Sequence, residues 1–279
     1  MFVPIADEVA ALVRRGFRAW WGERDSLDGG AELLVGSGTT SPRRGGPWYS
    51  PAMPRLWDPT SLTPAQALER LVDGNRRFRE ASGTSLAQSW SREQAHESPR
   101  PFAIVLGCSD SRTPVEILFD EGLGGLFVVR VAGNVVAPSV VGSIEFAAAQ
   151  FGTRLVVVMG HTRCGAVAAT VDAIETGLGP ASKNIRAITD RIAPHIAGLV
   201  RPGDRDRSIR ESVRANVSAS ADHLRHGSRI IEELVQAGRV AVVGAEYELE
   251  TGAVHFFDGA ESVAPREAGG AGDSGHTGR

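Results

Sequence analysis

Cysteine is scarce in this chain: Cys108 and Cys164 are the only two among 279 residues. One disulfide between them is conceivable, but two cysteines do not make the framework of a small secreted domain, and a chain this long buries an adequate core without one. Lysine is scarcer still, with Lys183 alone among the cationic side chains and arginine supplying the rest, a habit of composition rather than a function. No stretch approaches the roughly 20 apolar residues that a spanning helix needs. The apolar start Met1–Ile5 is broken by Asp7 and Glu8, so no secretory core forms. Strong charge is lacking too: a net charge of -3 gives no reason to expect nucleic acid or an anionic membrane as partner. There is no internal repeat. Gly122-Leu-Gly-Gly125 precedes a strand pattern, so it lacks the strand–turn–helix setting of a phosphate loop and reads as a turn. The expectation is a cytoplasmic protein with reduced thiols.

What is present falls into three parts. Residues 1–55 form an N-terminal extension in which Val9–Trp21 has the pattern of one amphipathic helix, followed by Gly, Ser, Pro and Arg without periodicity. This is either a dispensable, partly flexible segment or a helix for a partner or membrane surface. Residues 56–258 carry the patterned domain, and the Gly-, Ala- and Ser-rich tail 259–279 is expected to be disordered.

Within the domain, Thr63-Pro64-Ala65-Gln66 is a capping box, and Leu68, Leu71, Val72 and Phe78 mark one face of a helix reaching about Ala81. Strands are expected at Phe102–Gly107, Leu126–Val131, Leu155–Met159 and Val240–Val243. Helices are expected after Pro114, from Pro138 to Gly152, after Cys164, and in stretches across 181–237. Tyr247–Phe257, turning at Thr251-Gly252, alternates as an edge hairpin does. The fold class that follows is α/β: a mostly parallel central sheet, about four parallel strands plus an antiparallel edge strand, flanked by helices.

Two strand ends carry the chemistry. The first reads Gly107-Cys108-Ser-Asp110-Ser-Arg112-Thr113-Pro114, with Thr113 expected to cap the next helix. The second reads His161-Thr-Arg163-Cys164-Gly165. Alone, a buried cysteine is ordinarily a small hydrophobe, and Asp-x-Arg a local salt bridge. Jointly, two thiolates, an imidazole and a carboxylate are good ligands for tetrahedral zinc. Cys164 also opens a helix, where the macrodipole, with Arg163 alongside, favours the thiolate. With Cys108, His161 and Cys164 on the metal, the fourth position goes to Asp110, closing the site, or to water, if Arg112 draws Asp110 into a bidentate pair. The other histidines have no spacing that suggests a second metal, and the arginines between 201 and 214 read as a solvated helix face.

Cys108-Ser-Asp110-Ser-Arg112 together with His161-x-x-Cys164-Gly165 resembles the β-class carbonic anhydrases. The likeness runs along most of residues 63–257, through Phe119–Asn134 and Gly142–Ala147. It implies that 56–258 is a zinc-dependent catalytic domain that interconverts carbon dioxide and bicarbonate. Cys108, His161 and Cys164 would hold zinc; Asp110 and Arg112 would be the dyad that opens the fourth position and orients the zinc-bound hydroxide. Gly165 would offer a backbone N–H to substrate, and Phe127 and Phe146 would line the apolar pocket. It also implies a dimer, tetramer or larger homo-oligomer with the pocket at the subunit interface. Two thiolates make a weaker Lewis acid than imidazoles do, so activity is expected to rise towards alkaline pH. Two departures stand out: Pro99 occupies the place of a pocket glutamine, and Val105 that of a tryptophan associated with bicarbonate inhibition. The rival readings are a hydrolase of a sulfur analogue such as carbon disulfide on the same site, and a non-catalytic zinc-stabilised binding protein with Asp110 permanently on the metal.

Overall fold

A computed structural model describes residues 62–80 and 98–263; the extension 1–55 and the tail from 264 lie outside the described residues. Helix α1 (Pro64–Glu80) opens on the expected capping box: Thr63 N–H donates to Gln66 Oε1 (2.9 Å), and Gln66 N–H to Thr63 Oγ1 (3.2 Å). Leu68 and Leu71 are buried, but Val72 is 48% exposed, because one residue past Leu71 is about 100° round the helix. Then follow β1 (Ala103–Gly107), α2 (Val115–Leu118), β2 (Leu126–Arg130), α3 (Pro138–Phe151) and β3 (Leu155–His161). After these come α4 (Gly165–Thr176), α5 (Lys183–Ile196), α6 (Arg205–His226), α7 (Arg229–Gln236), β4 (Ala241–Tyr247) and β5 (Val254–Asp258).

The five strands form one sheet in the order β2-β1-β3-β4-β5, with the first four parallel and β5 antiparallel on β4. That is the expected α/β class. Every residue of β1 and β3 is buried, yet the two faces still separate. Val105, Val157 and Met159 meet Leu71 and Phe119 on one side, while Ile104, Leu106, Val156 and Val158 meet Val217 and Leu224 of α6 on the other.

Strands β3 and β4 run further than their apolar runs, ending at His161 and Tyr247 rather than Met159 and Val243. The glycines that follow those runs do not end the strands; they admit a helix. A Cβ on Gly160 would lie 2.6 Å from Val217 Cγ2, and one on Gly244 2.9 Å from Val217 Cγ1, so both glycines let α6 lie close on the sheet. Tyr247 therefore belongs to β4, and the edge hairpin is β4 itself returning as β5 through a turn at Glu248–Ala253. Residues 259–263, assigned to the tail by composition, form a turn that buries Val263. The arginines of the α6 region are solvated as expected and paired with acids, as in Arg205–Asp172 and Arg207–Glu211.

The chain leaves β1 for β2 on one side and returns to β3 on the other, so the strand order reverses between β1 and β3. Open α/β sheets bind ligands at the carboxyl ends of the strands at such a point. Cys108 follows β1 there, and His161 ends β3. A third apolar cluster closes over this end, with Val167 and Val171 of α4, Ile192 of α5 and Val213 of α6 packed round the two cysteines. Among the described residues no helix is long and apolar enough to cross a membrane.

Candidate metal centre

The loop after β1 is held by groups from elsewhere. Cys108 is 5% exposed, and its Sγ accepts the Gly133 N–H at 3.4 Å. Arg130, the last residue of β2, donates from Nε to the Cys108 carbonyl (2.9 Å) and from Nη2 to the Asp110 carbonyl (2.5 Å). Thr113 is not the helix cap that its position suggested. Helix α2 begins after Pro114 with no side-chain cap, and the Thr113 hydroxyl lies 3.2 Å from the Cys108 carbonyl and 2.9 Å from that of Asp110. Asp110 Oδ1 accepts from the Arg112 backbone N–H (3.0 Å) and Nε (2.9 Å), and Oδ2 accepts from Nη2 (2.7 Å). This two-pronged hydrogen bond from Arg112 holds the Asp110 carboxyl well below the usual carboxylate range, so it is ionised at any pH near neutrality.

The turn after β3 is local. Arg163 takes φ +58°, and that left-handed residue brings His161, at the strand end, round to face Cys164, at the start of α4. His161 Nδ1 lies 2.9 Å from the Thr162 carbonyl. A carbonyl only accepts, so Nδ1 carries the proton and Nε2 presents a lone pair. Nε2 is buried and has no hydrogen-bond partner. An unpaired buried acceptor costs about 1–3 kcal/mol, which argues that something else occupies its lone pair.

The donor atoms of Cys108, His161 and Cys164 lie within 4.8 Å of one another, and the two sulfurs are 4.0 Å apart. Two thiolates at about 2.3 Å from one tetrahedral zinc stand about 3.8 Å apart, so these residues fit the metal with little movement. Asp110 Oδ2 is 4.0 Å from His161 Nε2, at the edge of the cluster and turned to Arg112. As a pair, the thiols lose one proton readily and resist losing the second. The Cys108 thiol is lowered to about 4, first by its hydrogen bond with Cys164 and then by His161 and the Gly133 N–H, against the cost of burial. Cys164 is pushed up by the neighbouring Cys108 sulfur and by burial. A cation between the sulfurs removes that resistance.

Gly165 is exposed, with open space where a side chain would stand. Phe127 and Phe146 pack together (ring centres 6.5 Å apart) and against Phe151, with Phe127 level with Ile104 rather than with the β2 tip. Within the chain they form a separate aromatic cluster, and Phe146 is 49% exposed. Sequence reasoning gave Arg130 and Gly133 no part in this loop and read Thr113 only as a helix cap. A lone arginine closing an otherwise apolar strand was the one available signal, since a charge there needs a polar partner nearby.

Comparison with known proteins agrees with this geometry. The carbonic anhydrase family model matches residues 103–254. The chain is 40% identical to the carbonic anhydrase of Mycolicibacterium smegmatis, over 69% of its own length and 93% of the relative's. To carbonic anhydrase 2 of Mycobacterium tuberculosis it is 37% identical, over 69% and 92%. The crystal structure of the β-carbonic anhydrase CafA of Aspergillus fumigatus superposes with a TM-score of 0.52 at 26% identity, covering 60% of this chain and 80% of that one. The chain belongs to the β-class carbonic anhydrases. As a carbonic anhydrase it is an enzyme, a lyase, and among the described residues the Cys–His–Cys cluster is a group whose geometry is compatible with metal binding. The matched residues run from the start of β1 to the start of β5 and so include both strand tips that build that centre.

Proposed function

We propose that this carbonic anhydrase holds one zinc ion on Cys108 Sγ, His161 Nε2 and Cys164 Sγ and interconverts carbon dioxide and bicarbonate there. The observation that carries the reading is a buried acceptor without a hydrogen-bond partner, His161 Nε2, facing two sulfurs 4.0 Å apart, with Asp110 drawn aside by Arg112. Zinc supplies Lewis-acid chemistry, lowering the pKa of a water ligand towards neutrality. Arg112 keeps the Asp110 carboxylate off the metal, and Asp110 Oδ2 is the acceptor that orients water in the site. The N–H of Gly165, at the start of α4, donates to a substrate oxygen. Arg130 and Thr113 fix the loop that carries the dyad.

Phe127 and Phe146 line the pocket only if a second copy brings them over its partner's centre, and the half-exposed ring of Phe146 supports a dimer or tetramer. Two free, buried thiols in the site suit the reducing cytoplasm. Residues 56–258 are the catalytic domain. A purely structural zinc would take Asp110 as fourth ligand and needs no arginine competing for it. The test is stopped-flow carbon dioxide hydration from pH 6.5 to 9 with metal analysis, comparing wild type with Asp110→Asn. The reading expects activity rising towards alkaline pH in wild type, and a loss of about 10²-fold or more in the variant with zinc retained. An inactive wild type that holds zinc stoichiometrically would overturn it, and assay with carbon disulfide would then decide for the sulfur analogue.

A further inference from the structure

Helix α6 crosses behind the metal centre and carries a buried polar residue that the chemistry above does not use. Asn216 is 2% exposed, and its Nδ2 donates to the Gly133 carbonyl at 2.9 Å, with the whole bond buried. Gly133 sits at φ +69° between the tip of β2 and α3, a conformation open to glycine at little cost. A Cβ there would meet Ile192 Cδ1 of α5 at 2.9 Å and Ala166 Cβ of α4 at 3.0 Å. Three helices therefore hold this one residue, two by contact and α6 by the Asn216 hydrogen bond. The group that Gly133 presents in return is its N–H, which donates to Cys108 Sγ. Donors to a thiolate draw charge from the sulfur and fix where it points, and such outer partners of metal ligands are commonly worth about 10–100-fold in affinity.

We infer that Asn216 is a positioning residue for the metal centre: by pinning the Gly133 carbonyl it aims the Gly133 N–H at Cys108 and sets the geometry and charge of that sulfur. The inference rests on Cys108 being a zinc ligand. It involves no contact of Asn216 with substrate or metal. Asn216 stands more than fifty residues from Cys164 and over a hundred from Cys108 in sequence, and neighbouring Val217 packs α6 onto Gly160 and Gly244, fixing the helix at the height where the amide reaches Gly133.

The test compares Asn216→Leu, which keeps the branched shape and removes the donor, with Thr153→Val. The latter removes a buried hydroxyl-to-carbonyl bond of similar length (Thr153 Oγ1 to Pro101 O, 2.8 Å) away from the centre. Zinc affinity of the full chain is measured by chelator competition, and the cobalt-substituted proteins are compared by their sulfur-to-cobalt charge-transfer band. Asn216→Leu is expected to weaken zinc about 10–100-fold and to move the band to longer wavelength, while Thr153→Val leaves both unchanged. Affinity within about twofold of wild type and an unmoved band in Asn216→Leu would overturn the inference, as would an equal loss in Thr153→Val. If Asn216→Leu does not fold, Asn216→Ser carries the same comparison; failure of both to fold assigns Asn216 to the fold alone and also overturns it. Failure of the underlying reading looks different: Cys108→Ser would then hold zinc as tightly as wild type.

Discussion

The tip of β1 and the tip of β3 deliver one cysteine each to the same cluster, by opposite means. At β3 the device is mainly local: a left-handed Arg163, a hydrogen bond from His161 to the neighbouring Thr162 carbonyl, and a helix that starts directly after Cys164, with Thr162 also bonded to Tyr247 and Leu249 at the end of β4. At β1 the loop is short and tied within itself by Thr113 and Arg112, but it is also held from outside. Its carbonyls are tied by Arg130 from β2, its cysteine sulfur by Gly133, and Gly133 in turn by Asn216 from α6. The difference bears on the proposed function, because the β1 loop also carries the Asp110–Arg112 pair, which in that proposal leaves the metal room for water. The β3 half places two candidate ligands within four residues, while the supports of the β1 half are spread through the fold.

Five substitutions break or sharpen that contrast. The largest effect is expected from Cys108→Ser and His161→Ala, one from each half: both should lose stoichiometric zinc and fall to background hydration, read by metal analysis and stopped flow. If only one of them does so, the two tips do not share an ion. Next is Arg130→Gln, which unties the β1 loop without touching a ligand. It is expected to lower hydration about tenfold and to cost roughly 1–3 kcal/mol in urea unfolding, in keeping with lost charged hydrogen bonds. Thr113→Val is the milder version: about 1 kcal/mol of stability, with activity reduced less than about threefold, measured in the same way.

The smallest effect concerns the β3 half, where Arg205 of α6 pairs with Asp172 of α4 at 2.6 Å on the surface. Arg205 holds the Asp172 carboxyl below its ordinary value, so the folded pKa lies under the unfolded one. Its stabilisation is present above the unfolded carboxylate pKa of about 3.9 and disappears as the pH falls through the folded value. Asp172→Asn should therefore be slightly less stable than wild type at pH 7, and the gap should close towards pH 3. Its hydration rate should not change, since the pair stands on the outer surface of α4 and α6, away from the β1 loop.

The same contrast explains what the sequence disclosed. The β3 half was legible because both of its candidate ligands lie within His161–Gly165, even though Thr162 between them is also bonded to Tyr247 and Leu249, and the sheet was legible because buried parallel strands write themselves as apolar runs. The ends of β3 and β4 were placed short, at Met159 and Val243, because Gly160 and Gly244 interrupt the apolar runs, and a glycine that admits a helix shows its purpose only once the helix is placed. Thr113 misled for a related reason: Thr-Pro before an apolar residue signals a cap, while its hydroxyl was recruited by two carbonyls of its own loop. Gly133 and Asn216 were silent, and Arg130 gave only the signal of a charge closing an apolar strand, because their partners are set by tertiary packing and no spacing encodes it. Phe127 and Phe146 came through the family resemblance, and the single chain keeps them with Phe151.

Zinc-edge X-ray absorption on the purified protein tests the central claim most directly, because it counts the sulfurs on the metal that the two strand tips are said to share. One zinc per chain with two sulfurs at about 2.3 Å and two nitrogen or oxygen neighbours at about 2.0–2.1 Å is the predicted result. A chain without stoichiometric zinc, or a zinc shell with one sulfur or none, would contradict it.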